Sequence, residues 1–439
     1  MPLTQRPWQM DYSGDQSVAL YIHVPFCRAR CAYCDFNTYA GLEAKIPAYV
    51  QALCRESAAA GDRWGPLRIS TIYIGGGTPS LLPVRLLSDV LTVVDDTLDL
   101  SQCSEFSLEA NPGTVDAAYL KDLRAIGIDR LSLGVQSAHD DELGMLGRVH
   151  CWNDVLEAVD AARAADFSNL SLDLMFGIPG QSRDGWEVTL HQVVALEPEH
   201  LSLYALTLEG GTTLARRVKR GEVIAAEDET AASMYERAEQ ILAEAGFFHY
   251  EISNWAKVRL PAPLRGTTWW PHQILDDRGP VSSEHISDRV CRHNLTYWRN
   301  EPWLGLGAGA HSWMTSSFLR RSGFTPREST VGRRWANLDH PHDYVPATQE
   351  PGYPGCCWRD VEEIDERLAM GETMMLGLRL AEGISSPRFE ARFQVSPADA
   401  FGEELDSLRE LGLLDWDGVT ARLTARGRLL GNRVFERFV

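Results

Sequence analysis

From Val18 to about Tyr250 the chain alternates short apolar runs with amphipathic stretches, the pattern of a parallel sheet with crossover helices. The runs SVALYIHV, RISTIYIG, SEFSLEA, RLSLGVQS, NLSLDLMFG, HLSLYALTL and the shorter FFHYEIS predict strands. Between them Ala44 to Ala60, Val84 to Leu98, Asp116 to Ile126, Trp152 to Ala165, Arg183 to Ala195 and Glu229 to Ala245 predict helices. A unit length of about 25 to 50 residues fits consecutive right-handed βα modules, which open into a doubly wound sheet or curl into a barrel. Special residues stand just after several strands, around one common mouth, and favour the curled form. The expected class is α/β, a partial (β/α)6 TIM-like barrel over 18–256 behind an N-terminal tail at 1–17.

Periodicity fails after Lys257. VRLPAPLRGTTWWPHQILDDRGPVSSEHISDRV mixes Pro, Gly, Trp and charges and reads as an insertion loop over 257–290. RHNLTYWRNEPWLGLGAGAHSW is rich in aromatics and glycine, and a polar stretch runs on to about Arg359, giving a connecting segment over 291–359. Helical patterns near Asp360 to Leu380 and Ala398 to Leu411 precede LLDWDGVTARLT, a hairpin pattern with Asp-Gly at its turn. These predict a C-terminal α+β winged-helix-like domain over 360–439.

The 439 residues, 44% hydrophobic, suffice to bury a sizeable core. Lys plus Arg number 42 against 61 Asp plus Glu, a formal charge of −19. So acidic a chain argues against nucleic acid as a partner, for the wing as well, where packing or protein contact is expected. No apolar run approaches the roughly 18 residues of a membrane-spanning helix, and MPLTQRPWQMDYSGDQ lacks a signal peptide's layout. A cytosolic protein is expected, with at most peripheral membrane contact. Its nine cysteines are then expected as thiols rather than disulfides.

Three of those cysteines crowd together. The first strand runs into PFCRARCAYCDF, which places Cys27, Cys31 and Cys34 at Cys-x3-Cys-x2-Cys. Soft thiolates select zinc or an iron–sulfur cluster. Structural zinc wants four ligands, and no second Cys or His pair stands nearby at finger-like spacing; a 4Fe-4S cube on three cysteines leaves one iron open to a ligand. The second strand ends in Gly75, Gly76, Gly77, Thr78 and Pro79, where missing side chains let backbone approach a ligand. Glu109, Gln136, Arg148 and Asp173 stand at or just beyond later strand ends, where a barrel binds ligands. Singly, each reads as a helix cap or a satisfier of loop backbone. Together, acids suited to ribose hydroxyls and an Arg suited to a carboxylate describe a site. In RHNLTYW, on its residues alone, His293 reads as a core histidine lined by Tyr297 and Trp298.

The cysteine spacing resembles that of the radical S-adenosylmethionine proteins. That resemblance implies a 4Fe-4S cluster on Cys27, Cys31 and Cys34, and S-adenosylmethionine held by Tyr21, Tyr33, Gly76, Gly77, Thr78, Glu109, Gln136, Arg148 and Asp173. The wording YIHVPFC, IYIGGGTPSLL, EANPGT, RLSLGVQS and DLMFGIPGQ further resembles the oxygen-independent coproporphyrinogen III oxidase group. Its oxidase branch has a fourth cysteine two residues after the third and a longer leading segment; here Phe36 takes that place and only 26 residues precede Cys27. Its heme-chaperone branch, of the HemW type, has CDF and His-Asn-x-x-Tyr-Trp, and this chain has both. That branch implies heme at His293, Asn294, Tyr297 and Trp298, with His311 of GLGAGAHSW supplying backbone or a second imidazole near the mouth. The partners implied are heme or porphyrinogen, a heme-accepting target such as a respiratory enzyme, and an electron donor, with a homodimer left open. The oxidase reading, radical decarboxylation of propionates to vinyls, stays open as the alternative, and no catalytic residue is assigned. A third reading, a radical enzyme acting on RNA or another substrate, runs against the −19 charge. One departure from the family is an insertion of about 30 residues, with Trp269, Trp270, His272 and His285, expected as a surface loop.

Overall fold

Six strands of the main sheet each lead into a helical crossover: β1 Val18–Val24, β2 Ile69–Gly76, β3 Phe106–Ala110, β4 Arg130–Gln136, β5 Leu170–Phe176 and β6 His200–Ala205. The computed structural model describes residues 17–258, 275, 276, 279, 280, 289–325, 327, 329–350, 353 and 355–439. The expected tail, but for residue 17, and most of the expected insertion, with Trp269, Trp270, His272 and His285, lie outside the described residues.

The helices between these strands are α1 Ile46–Trp64, α2 Val84–Thr97, α3 Ala117–Ala125, α4 Asp140–Leu146, α5 Trp152–Ala164 and α6 Arg183–Ala195, and after β6 come α7 Thr213–Lys219 and α8 Asp228–Glu244. Local chemistry sets their starts. The Asp116 carboxylate takes the amide of Tyr119 at 2.8 Å, and the Ser182 hydroxyl takes that of Gly185 at 3.0 Å, each satisfying a donor the helix cannot.

Among the described residues the sheet has twelve strands and is open, which makes the barrel partial. Beyond β6 stand β7 Phe247–Glu251 and β8 Asn254–Lys257, a hairpin with β8 antiparallel to β6. FFHYEIS is therefore an antiparallel edge, because two residues between strands reverse the chain and leave no length for a crossover. On the other side of β1 lie β9 Trp303–Leu306, parallel to it, then β10 His311–Thr315, β11 Thr330–Asn337 and β12 Trp358–Asp365, all antiparallel. Sequence pattern reads most of this stretch as polar connection. It is sheet because alternate residues bury on opposite faces, Met314 and Trp335 in the barrel core and Trp313 and Ile364 in the C-terminal core, and because Arg333 meets Glu363 at 3.3 Å and Arg334 meets Glu362 at 2.7 Å across the register.

Strand alternation divides the sheet's two faces. Leu20, Ile22, Ile72, Ile74, Leu108, Leu131, Leu133, Leu172 and Leu201 are buried in one apolar core with the helices, each worth about 1.5–3 kcal/mol. The intervening positions are Tyr21, Thr71, Tyr73, Ser107, Glu109, Arg130, Ser132, Ser171, Asp173, His200 and Ser202, and they give the concave face a polar lining.

The C-terminal unit holds α10 Glu366–Gly377, α11 Ser386–Phe393 and α12 Pro397–Glu410, with a three-stranded wing of Ile384–Ser385, Leu414–Trp416 and Thr420–Leu423. The Asp417-Gly418 turn fits its hairpin, Gly418 taking φ +85°. Its core of Met374, Leu378, Phe389, Phe401, Leu405 and Phe435 also encloses Trp313 and Ile364 of the main sheet, so the unit is packed against the barrel's extension. Among the described residues no helix is long and apolar enough to cross a membrane.

Candidate functional site

The mouth of the barrel is built around the cysteine loop. Phe26–Cys27 pairs with Tyr39–Ala40 and ties the two ends of the loop together. Its middle is held by Ala32, whose amide donates to Leu146 O at 2.8 Å and whose carbonyl accepts from Leu214 N at 2.7 Å. All three sulfurs have polar neighbours: the Thr78 hydroxyl donates to Cys27 Sγ at 3.7 Å, Arg148 Nη1 to Cys31 Sγ at 3.5 Å, and Cys34 Sγ lies 3.7 Å from Thr38 Oγ1. Burial pushes the Cys27 thiol up, and the Thr78 bond opposes it. All nine cysteines are free thiols. Among the described residues no three His, Cys, Asp or Glu side chains close on one metal ion. The triad's fit to an iron–sulfur core rests on its donor chemistry, three soft sulfurs on one loop beside donors suited to thiolates.

The glycine turn makes room for protein as much as for a ligand. A Cβ at Gly75 would lie 3.1 Å from the Glu109 carboxyl, one at Gly76 2.5 Å from the His23 ring, and one at Gly77 3.0 Å from Cys27 Sγ. Gly76 also takes φ +118°, open to glycine alone without strain. Its amide donates to Glu109 Oε2 at 3.0 Å, and Tyr73 OH donates to Oε1 at 2.8 Å. Burial raises the Glu109 pKa against those two bonds. Arg148 bonds Asn111 and Gly134 O as well as Cys31, and Asn111 Nδ2 donates to Thr78 at 2.9 Å, so turn, guanidinium and cysteine loop form one network. Tyr33 lies beside Arg148, and burial raises its pKa. Asp173 accepts from Ser132 at 2.9 Å and Ser171 at 3.3 Å, and burial raises its pKa too. Gln136 holds φ +69°, a left-handed conformation that costs a side-chain-bearing residue about 1–3 kcal/mol and concentrates at functional sites. Tyr21 OH and His23 Nδ1 are 2.9 Å apart, and His23 Nε2 lies 2.9 Å from Asn37 O. Exposed around this mouth are Phe36, at 63%, and Val149, at 72%.

RHNLTYW lies at the other end of the barrel. It forms a short helix, α9 Arg292–Trp298, that closes the floor. Glu105 accepts from the amides of Arg292 at 2.8 Å and His293 at 3.3 Å. His293 is 1% exposed. Its Nδ1 lies 2.9 Å from Thr71 Oγ1 and its Nε2 2.9 Å from Tyr297 OH, and its ring stacks on Tyr73 at 5.1 Å. Burial and the Arg130 charge push its pKa down to about 3, so the imidazole stays neutral. As placed, neither nitrogen is open to an iron. Trp298 faces the C-terminal unit, in a cleft with Gly377, Arg388 and Phe389, and Asn294 is half-buried on the same helix.

The structure thus brings Tyr21, Tyr33, the glycine turn, Glu109, Gln136, Arg148 and Asp173 to the cysteine end or upper wall of one concave face, and sets the histidine motif apart at its base. Sequence reasoning missed Tyr73, His23, Asn111 and Arg130. Arg130 is 2% exposed, and its Nε has no hydrogen-bond partner. Three of these were legible: Tyr73 and Arg130 sit at the polar phase of period-two strands, as does His23.

Residues 21–193 match the radical SAM superfamily and 364–430 the HemN C-terminal domain. The chain is 34% identical to the heme chaperone HemW of Bacillus subtilis over 95% of its own length and 98% of the relative's. It is 35% identical to that of Mycobacterium tuberculosis over 95% and 94%. A mitochondrial radical S-adenosyl methionine domain-containing protein 1 of Danio rerio is 32% identical over 85% and 75%. Among solved structures, the coproporphyrinogen III oxidase HemN of Escherichia coli superposes with a TM-score of 0.75, covering 97% of this chain and 90% of that one, at 21% identity, a likeness of fold.

Proposed function

Because the chain belongs to the HemW family of radical SAM proteins, we propose that it is a heme chaperone. It binds heme, a 4Fe-4S cluster on Cys27, Cys31 and Cys34, and S-adenosylmethionine, and passes the heme to heme-accepting proteins. The observation that carries this reading is 34% identity to a named heme chaperone along 95% of the chain. The mouth supports it: three polar-flanked thiols sit beside a side-chain-free turn, a strained glutamine and an arginine. Cys27, Cys31 and Cys34 would hold the cluster, which would supply the electron for reductive cleavage of S-adenosylmethionine. The chain's share is positioning and electrostatics. Arg148 holds Cys31 in place and offsets thiolate charge, Glu109 fixes the glycine turn, and Asp173 and Gln136 face the ligand from the wall. The protein works in the cytosol with an external electron donor.

Anaerobic reconstitution with iron and sulfide, followed by hemin titration and a coproporphyrinogen assay on one preparation, tests this. Stoichiometric heme uptake without porphyrinogen turnover is expected. Turnover without stable heme would transfer the chain to the oxidase reading.

A further inference from the structure

Heme iron takes an imidazole readily, and the chain's histidines differ in whether theirs is free to offer. Of twelve in the chain, His272 and His285 lie outside the described residues, leaving ten. His23, His200 and His293 engage both ring nitrogens inside the fold. His249 sits between Glu239 and Tyr235. His139 and His150 each meet a backbone carbonyl, of Gly185 and Val135. His340 Nδ1 accepts from the amide of His342, and His342 pairs with Asp343. Among the described residues, His191 and His311 have exposed rings that make no hydrogen bond. His191 belongs to α6, in the outer helical layer.

His311 is placed differently. β9 ends level with the mouth, where Leu306 pairs with Ile22 and Gly307 lies under His23 O, and the chain turns back there into β10 at His311. Register fixes its face. Ala19 pairs with Trp303 and Trp303 with Trp313, so Trp303, Trp313 and, two residues before it, His311 share the concave face with Tyr21 and Tyr73. Asn37, next to exposed Phe36, donates to Ala308 O at 3.1 Å and fastens the cysteine loop three residues from His311.

We infer that His311, on the concave face at the barrel mouth, is the axial ligand of the heme iron, and that His293 is a positioning residue of the barrel floor. The inference rests on the heme-chaperone reading above.

Hemin titration of the reconstituted full chain tests it, read by absorption and electron paramagnetic resonance for imidazole ligation. His311→Ala is expected to lose the imidazole signature and weaken hemin by at least about tenfold, with iron and sulfide content unchanged and free imidazole restoring the signature. Metal-free protoporphyrin, which has no iron to ligate, should bind wild type and His311→Ala alike. His293→Gln should keep the signature. An imidazole signature that survives His311→Ala overturns the inference and leaves the chaperone reading standing, most directly if it then disappears in His272→Ala or His285→Ala. A wild-type protein that takes up no hemin sinks the chaperone reading and the inference with it.

Discussion

The two ends of the barrel carry the same kinds of residue and use them oppositely. At the floor, His293, His200, Glu105, Tyr297 and Tyr250 answer one another: His200 bonds Ser171 and Tyr250 at 2.8 Å each, and His293 spends both nitrogens. At the mouth, the cysteines form no disulfide, Gln136 is strained, an exposed Phe36 faces solvent, and the His311 ring makes no hydrogen bond among the described residues. Residue type does not separate ligand-handling from structural groups here. For the histidines of the floor satisfaction does: His293 and His200 have both ring nitrogens bonded and nothing left to offer a ligand, whereas the His311 ring is unbonded. Arg130 is the floor's exception: it is buried, its Nε has no hydrogen-bond partner, and Glu105 is the nearby carboxylate whose charge favours its protonated form.

The largest effect expected is at the mouth. Cys31→Ala should abolish the iron–sulfur absorption altogether, while the melting temperature of the unreconstituted chain moves little, because the sulfur is only half-buried and its donor Arg148 keeps Asn111 and Gly134 O. Loss of apo-protein stability comparable to that of a core substitution would erase the distinction between the two ends. The converse holds at the floor. His293→Ala should destabilise the fold by about 2–4 kcal/mol, since it opens a cavity and strands Thr71 and Tyr297. Urea denaturation measures this, and cluster content in the folded fraction should match wild type.

How far these differences could be read in the sequence depends on their range. β1 to β6 and their helices were legible because parallel strands buried against helices need continuous apolar phases. The cysteine triad was legible because its spacing is local. β11 and β12 were not, since an edge held by Arg333–Glu363 and Arg334–Glu362 has no hydrophobic period. The satisfied state of His293 was hidden for another reason: Thr71 stands 222 residues away. The glycine turn is legible as a place of close approach, but that Tyr73, Glu109, His23, Phe26 and Cys27 crowd it is visible only once the strands are side by side.

Acid should sharpen the contrast next. Burial lowers the pKa of His293 to about 3 and that of His200 well below its usual value. Between those values and about 6.5 the unfolded chain binds protons that the folded floor refuses. Stability is therefore complete above pH 6.5 and lost as pH falls, by about 1.4 kcal/mol per pH unit for each such histidine. His293→Gln should reduce the pH dependence of the urea midpoint between pH 6.5 and 5 by one histidine's share. An unchanged slope would mean that His293 is not held neutral.

The smallest effect separates backbone from side chain at Gln136. Its φ of +69° strains any residue with a Cβ, so Gln136→Ala keeps the strain and Gln136→Gly relieves it. Glycine also gains entropy in the unfolded chain, which offsets part of the relief. Gln136→Gly should therefore be the more stable of the two by about 0.5–1 kcal/mol, a net figure after both terms. Both variants lack the amide, so both should bind S-adenosylmethionine more weakly than wild type in equilibrium dialysis. If only Gln136→Ala bound weakly, the strained backbone rather than the amide would be what the mouth presents. If neither did, the strain would belong to the fold, and Gln136 would have to be counted with the floor.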